Sequence, residues 1–134
     1  MSTLREKAQS VKWRKEFLGA SCRGYIRLTP KYSLKLFISE SERDGSFKRQ
    51  KIAHALNFAP KVLFKINKGR NFGYITEHAN TEKPLSYAQL RSLKSKMRKQ
   101  GWWTQDIDVD VNVGLINNRP VLIDLDSCTT GEYQ

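Results

Sequence analysis

Six short β-prone runs in this chain fall into three neighbouring pairs, each joined by a few turn residues. The runs at 24–28 and 33–38 flank Thr29, Pro30 and Lys31. Those at 62–66 and 72–76 flank a loop from Asn67 to Asn71, and those at 111–116 and 120–123 flank Asn117, Asn118 and Arg119. Short turns of this kind join antiparallel partners, whereas parallel strands need a long crossover. The sheet is therefore expected to be antiparallel. The segments between pairs read as helices, which makes the class α+β.

Three helices are predicted. Leu4, Ala8, Val11 and Lys12 share a face in a short basic helix within 1–16. Residues 39–45 read as a polar loop ending at Gly45. Phe47, Ile52, Ala53, Ala55 and Leu56 mark an amphipathic helix over 46–57 that stops before Pro60. Residues 77–85 are irregular. Ser86 and Gln89 form a capping-box pattern, after which Tyr87, Leu90, Leu93 and Met97 repeat at helical spacing. Arg91, Lys94, Arg98 and Lys99 lie on the other, solvated face, and Gly101 ends the helix.

With 134 residues the chain is sized for one domain, 1–134, with one core. No stretch approaches the ~18 apolar residues of a membrane span, and the charged N-terminus is unlike a secretory signal. Cys22 and Cys128 have no nearby histidine pair, so they read as ordinary thiols in a reducing cytoplasm. The net charge of +11 is uneven. Residues 1–100 carry 23 basic and 7 acidic side chains, and residues 101–134 carry one and six. A basic body suits a polyanion, and clustered aspartates beside it suit a divalent cation with a phosphorylated ligand. Mutual attraction and solvation of the two faces explain the same asymmetry.

Three groups of residues carry candidate chemistry. Gly19, Ser21 and Gly24 precede Ile26 at the start of the first hairpin, where small residues let backbone N–H groups approach phosphate oxygens. Alternation in the next strand puts Leu34 and Leu36 on one face, and Ser33, Lys35 and Phe37 on the other. Lys35 could then reach phosphates beneath the glycine-rich tip. Finally, Asn112 opens one strand and Asp124 follows its hairpin partner, so closure should bring together two hard oxygen ligands suited to Mg²⁺. A turn glycine, an exposed strand lysine and a polar strand cap are the plain structural readings of the same residues. His54 and His78 neighbour no nucleophile motif, and Trp102 and Trp103 read as packing residues.

Together these pieces resemble the protein-kinase-like superfamily over roughly residues 17–126. The run from Leu18 through Gly19, Ser21, Gly24 and Ile26 looks like the glycine-rich loop. Lys35 looks like the strand lysine that pairs with phosphates, and the helix around Gln50 looks like the one that usually carries its glutamate partner. The run from Tyr74 through Glu77 to Ala79 looks like the fifth strand and hinge. Asp106 falls near the catalytic-base position, and Asn112 and Asp124 fall on the metal-ligand positions. The pattern departs in having Gln50 for glutamate, Asp106 six residues before Asn112 where five is usual (Asp108 lies four before), and Leu125-Asp126 after the metal aspartate. The chain also ends ten residues after Asp124.

The resemblance implies a kinase N-lobe-like part at 1–76, an antiparallel sheet plus helix. A reduced helical C-lobe at 77–134 would hold the hinge, one long helix, a catalytic-loop-like segment and a hairpin. It implies ATP and Mg²⁺ as cofactors, with Lys35 and Asp106 catalytic, and Asn112 and Asp124 on the metal. Gly19, Ser21, Gly24, Ile26, Lys35 and Glu77 would contact the nucleotide. Three functions follow: a minimal ATP/Mg-dependent phosphotransferase, a pseudokinase-like binding protein, or, less favoured, a basic nucleic-acid-binding module. A protein partner or self-association would cover surface left around the helix at 86–100. No membrane partner is expected, and the expected context is cytoplasmic, bacterial or phage-borne, or that of a host-directed effector.

Overall fold

The computed structural model describes residues 3–11, 13, 22–102 and 113–123. Strands β1 (Cys22–Arg27), β2 (Tyr32–Phe37), β3 (Val62–Lys68) and β4 (Asn71–Glu77) form one antiparallel sheet in the order β1-β2-β4-β3. β5 (Val113–Ile116) and β6 (Arg119–Leu122) form a separate hairpin. The helices are α1 (Leu4–Ser10), α2 (Glu40–Ala55) and α3 (Tyr87–Lys99). The α+β class and the three hairpin pairings stand as the sequence predicts. Strand β2 is central because α2 separates it from the second hairpin, whose far strand β4 returns to pair with it.

The two faces of the sheet differ in chemistry. Leu34, Leu36, Ile66 and Ile75 pack with Ala8 of α1 on one face, joined by Ile26, Trp13 and Phe64. A larger apolar cluster of Phe58, Ala59, Leu93, Met97, Trp102, Val113 and Leu122 lies between the end of α2, α3 and the hairpin. Trp102 meets Phe58 edge-on, with ring centres 5.1 Å apart. The hairpin is tied down by backbone bonds. Leu122 N–H donates to Phe58 O at 2.8 Å, and Asn80 and Leu115 exchange two bonds of 2.8 and 3.0 Å. Gly114 permits this approach, because a Cβ there would stand 2.9 Å from Asn80 O. The β5–β6 turn is shorter than the three residues predicted: Asn117 and Asn118 alone form it, both at positive φ, as a tight two-residue hairpin requires.

Helix α2 corrects the sequence reading twice. It starts at Glu40, because Ser39 caps it by accepting from Glu42 N–H, and two glutamates sit in its first turn. The polar residues read as a loop are therefore its first turns. Its buried side chains are Arg43, Ser46, Gln50 and Ala53, while Ile52 is exposed. The inward stripe is polar because it faces a polar side of the sheet. Tyr87 is likewise exposed on α3, where Leu93 and Met97 are the buried residues.

Candidate functional site

The face of the sheet turned toward α2 carries a buried polar network centred on Lys35. Cross-strand register lines up Tyr25, Lys35, Tyr74 and Lys65 on neighbouring strands. Lys35 is only 4% exposed. Its Nζ donates to Gln50 Oε1 at 3.0 Å and to the Ile123 backbone carbonyl, and stands 5.7 Å from the centre of the Tyr74 ring. Gln50 is fully buried and uses both ends of its amide. Its Oε1 also accepts from the Tyr74 hydroxyl at 2.6 Å, while its Nε2 donates to Pro60 O at 2.9 Å and to Thr76 Oγ1 at 2.6 Å. Thr76 donates onward to Lys61 O at 3.0 Å, and Ser46 Oγ lies 3.0 Å from the Tyr74 hydroxyl. Arg43 fixes α2 above this network by donating to Ile66 O, Asn67 Oδ1 and Gly73 O.

These bonds constrain chemistry. Both acceptors described for the Lys35 ammonium are neutral oxygens, from an amide and a peptide carbonyl. A buried cation with neutral acceptors leaves local positive potential, which an anion brought beside it would stabilise. The Lys35 bond to Ile123 also places the ammonium against the residue directly before Asp124 in the sequence.

At the β1 and β4 ends of this face, Tyr25 stacks on His78 with ring centres 6.0 Å apart, and Ser33 Oγ lies 2.7 Å from His78 Nδ1. The Tyr25 hydroxyl sits beside Ser33 and the Ala79 backbone but has no well-formed hydrogen bond among the described residues. Burial pushes the Tyr25 phenol above its ordinary pKa, against the opposing pull of the Lys35 charge. Burial also lowers the pKa of His78, assisted by the Arg27 charge and opposed by Glu82. A cavity of about 350 Å³ opens here, lined among others by Arg27, Lys31, Glu77, His78, Glu82 and the β5–β6 turn. The Glu77 carboxylate accepts from Lys61 N–H at 2.8 Å. The backbone amides of Glu77, His78 and Asn80 all bond within the chain, to Lys61, Lys31 and Leu115.

Of the residues singled out from the sequence, Lys35 lies at the centre of the network and Glu77 on the cavity wall. Gly24 lies in β1 opposite Leu36, beside an irregularity in strand pairing. Ile26 lies on the other face of the sheet. Register pairs it with Leu34, so it packs on the apolar face with α1, and Tyr25 shares the Lys35 face instead. Gly19, Ser21, Asp106, Asp108, Asn112 and Asp124 lie outside the described residues. Among the described residues no group of three or more His, Cys, Asp or Glu side chains is arranged to hold a metal. No described helix is long and apolar enough to cross a membrane.

Sequence reasoning missed Tyr74, Thr76 and Ser46 as members of the network. The signal was present: Phe72, Tyr74 and Thr76 alternate along β4, and Arg43, Ser46 and Gln50 recur at helical spacing.

No protein-family model and no curated protein matches the chain. Solved structures of WbdD are similar to it. A co-crystal structure of WbdD with the kinase inhibitor LY294002 is 22% identical with a TM-score of 0.49, over 77% of this chain and 30% of that one. A structure described as the bifunctional kinase-methyltransferase WbdD is 23% identical with a TM-score of 0.47, over 75% of this chain and 28% of that one. The chain thus matches less than a third of the length of these structures.

Proposed function

We propose that the chain is a kinase-like protein that binds ATP with Mg²⁺ and transfers a phosphoryl group. One observation carries this reading: the buried Lys35 ammonium, held by neutral oxygens on a central strand and directed to the residue before Asp124. Its environment fits a phosphate, since the described acceptors leave its charge uncompensated. In this reading ATP supplies the transferable phosphoryl group and Mg²⁺ neutralises phosphate charge. Lys35 orients the phosphates, while α2, through Gln50 and Arg43, keeps the lysine in place. Gly19, Ser21 and Gly24 cover the phosphates. Glu77 lies on the segment that meets the base, where Tyr25, rather than Ile26, would present an aromatic surface. Asn112 and Asp124 are the proposed metal ligands, and Asp106 (or Asp108) would orient the acceptor hydroxyl. Phosphoryl transfer depends chiefly on positioning and electrostatic stabilisation, so it demands few residues of the protein.

A second reading, nucleotide binding without transfer, is favoured by Gln50. A neutral amide holds Lys35 but gives it no ion pair. One experiment separates these readings. Thermal unfolding is followed with ATP and Mg²⁺ for the wild type, Lys35→Met and Asp124→Ala, alongside release of γ-phosphate to water or to added protein. A ligand that binds only the native state raises its stability by mass action. A Mg²⁺-dependent rise in Tm that both variants lose, together with turnover, is the expected result. The rise without turnover selects the binding reading. No rise at millimolar ATP refutes both.

A further inference from the structure

The strongest surface feature outside this site is the outward face of α3. Between Glu82 and Asp106 the sequence has no acidic residue but has Lys83, Arg91, Lys94, Lys96, Arg98 and Lys99. The structure gathers four of these onto a groove of about 630 Å³ along the helix, with Tyr87 at its start. Tyr87 is 74% exposed, and the Arg91 guanidinium lies over its ring, 4.6 Å from the centre. Among the described residues no carboxylate pairs with Arg91, Lys94 or Lys99. Leu93 and Met97 are buried and turned away, while half-buried Leu90 joins the lining of the groove.

We propose that this face binds single-stranded nucleic acid, with Arg91, Lys94 and Lys99 on phosphates and Tyr87 stacked against a base. The occupant follows from what the groove offers. A protein partner needs an apolar centre of several residues to bury, and this groove offers only half-buried Leu90 beside one aromatic ring among four cations. A phosphodiester chain needs a row of cations, and an exposed aromatic ring supplies a stacking platform for any base. From Tyr87 to Lys99 the helix advances about 18 Å, the length of several nucleotides. Arg91 holds its charge over one face of the Tyr87 ring, so the base stacks on the other face. The surface is separate from the Lys35 network, so this proposal stands independently of ATP binding.

The test is fluorescence anisotropy of a labelled 20-nucleotide oligo-dT with the full chain across a salt series. The wild type is expected to bind at 50 mM salt with a steep salt dependence. The triple variant Arg91→Gln, Lys94→Gln, Lys99→Gln should lower the slope of log K against log salt by about 2, at about 0.7 per lost phosphate contact. Its affinity at 50 mM salt should fall at least tenfold. Arg91→Gln alone should lower the slope by about 0.7, which keeps the test decisive if the triple variant misfolds. Tyr87→Ala should weaken binding without changing the slope. No binding at 50 mM salt overturns the proposal. So does an unchanged slope in the folded triple variant, which would place the contact elsewhere on the basic surface. Competition by poly-glutamate as effective as that by unlabelled oligo-dT also overturns it, since the groove would then read charge alone.

Discussion

Replacing Gln50 by leucine tests the central network, because one side chain serves four partners there. The change removes acceptors for Lys35 and Tyr74 and donors for Pro60 O and Thr76 Oγ1. Not all four losses count equally. Tyr74 keeps its contact with Ser46, and Thr76 keeps its bond to Lys61 O. The Pro60 carbonyl loses the partner described for it, at a cost of about 1–2 kcal/mol. Lys35 loses one of its two described acceptors while staying buried, which costs about 1.5–3 kcal/mol for a charged group. Leucine fills most of the space, so the cavity contribution is small. The expected loss is therefore about 2.5–5 kcal/mol, a large share of the ~5–15 kcal/mol that holds a domain of this size together. Urea unfolding of the wild type and Gln50→Leu, analysed with a common slope, measures it. A loss under about 1 kcal/mol would refute the reasoning. The glutamate expected at this helix position by kinase resemblance is a telling control. Gln50→Glu gives Lys35 a counter-charge but sets a carboxylate oxygen against Pro60 O, where the amide now donates. It should destabilise the protein at neutral pH, and a gain in stability would show that the ion pair with Lys35 outweighs the repulsion at Pro60 O.

Two further predictions concern neighbouring positions. Because folding lowers the pKa of His78, its contribution to stability is fully present above the unfolded value of about 6.5 and is lost as pH falls through the lower folded value. The wild type should therefore lose stability relative to His78→Gln between pH 7.5 and 4.5, and parallel unfolding curves for the two would sink the assignment. A Cβ added at Gly73 would stand 2.5 Å from the Lys35 backbone oxygen. Gly73→Ala should cost roughly 2 kcal/mol and weaken the Tm response to ATP, because relief of the clash moves the lysine strand; an unchanged Tm contradicts this.

Much of the candidate site is written in one-dimensional pattern. Lys35 alternates with Leu34 and Leu36, so its separation from the apolar face follows from the pleat alone. Its contact with Gln50 was implied only by the resemblance, which sets Gln50 where the lysine's helix partner usually stands. The choice between Tyr25 and Ile26 did not follow. Both are β-prone and bulky, and only the pairing of Ile26 with Leu34 assigns it to the apolar face. The same limit hid the start of α2, where capping by Ser39 converts a polar run that reads as loop into helix.

The sequence by itself determined the hairpins, the antiparallel sheet, the capped helix α3 and its basic face. These depend on spacing, turn residues and charge within a few positions of one another. Tertiary structure decided which oxygens receive the Lys35 ammonium, that α2 turns polar residues inward, and that the β5–β6 hairpin meets the chain at Phe58 and Asn80. Those outcomes depend on groups far apart in sequence whose burial is acceptable only when each polar atom finds a partner. Such matching is a property of the packed whole, and no local pattern encodes it.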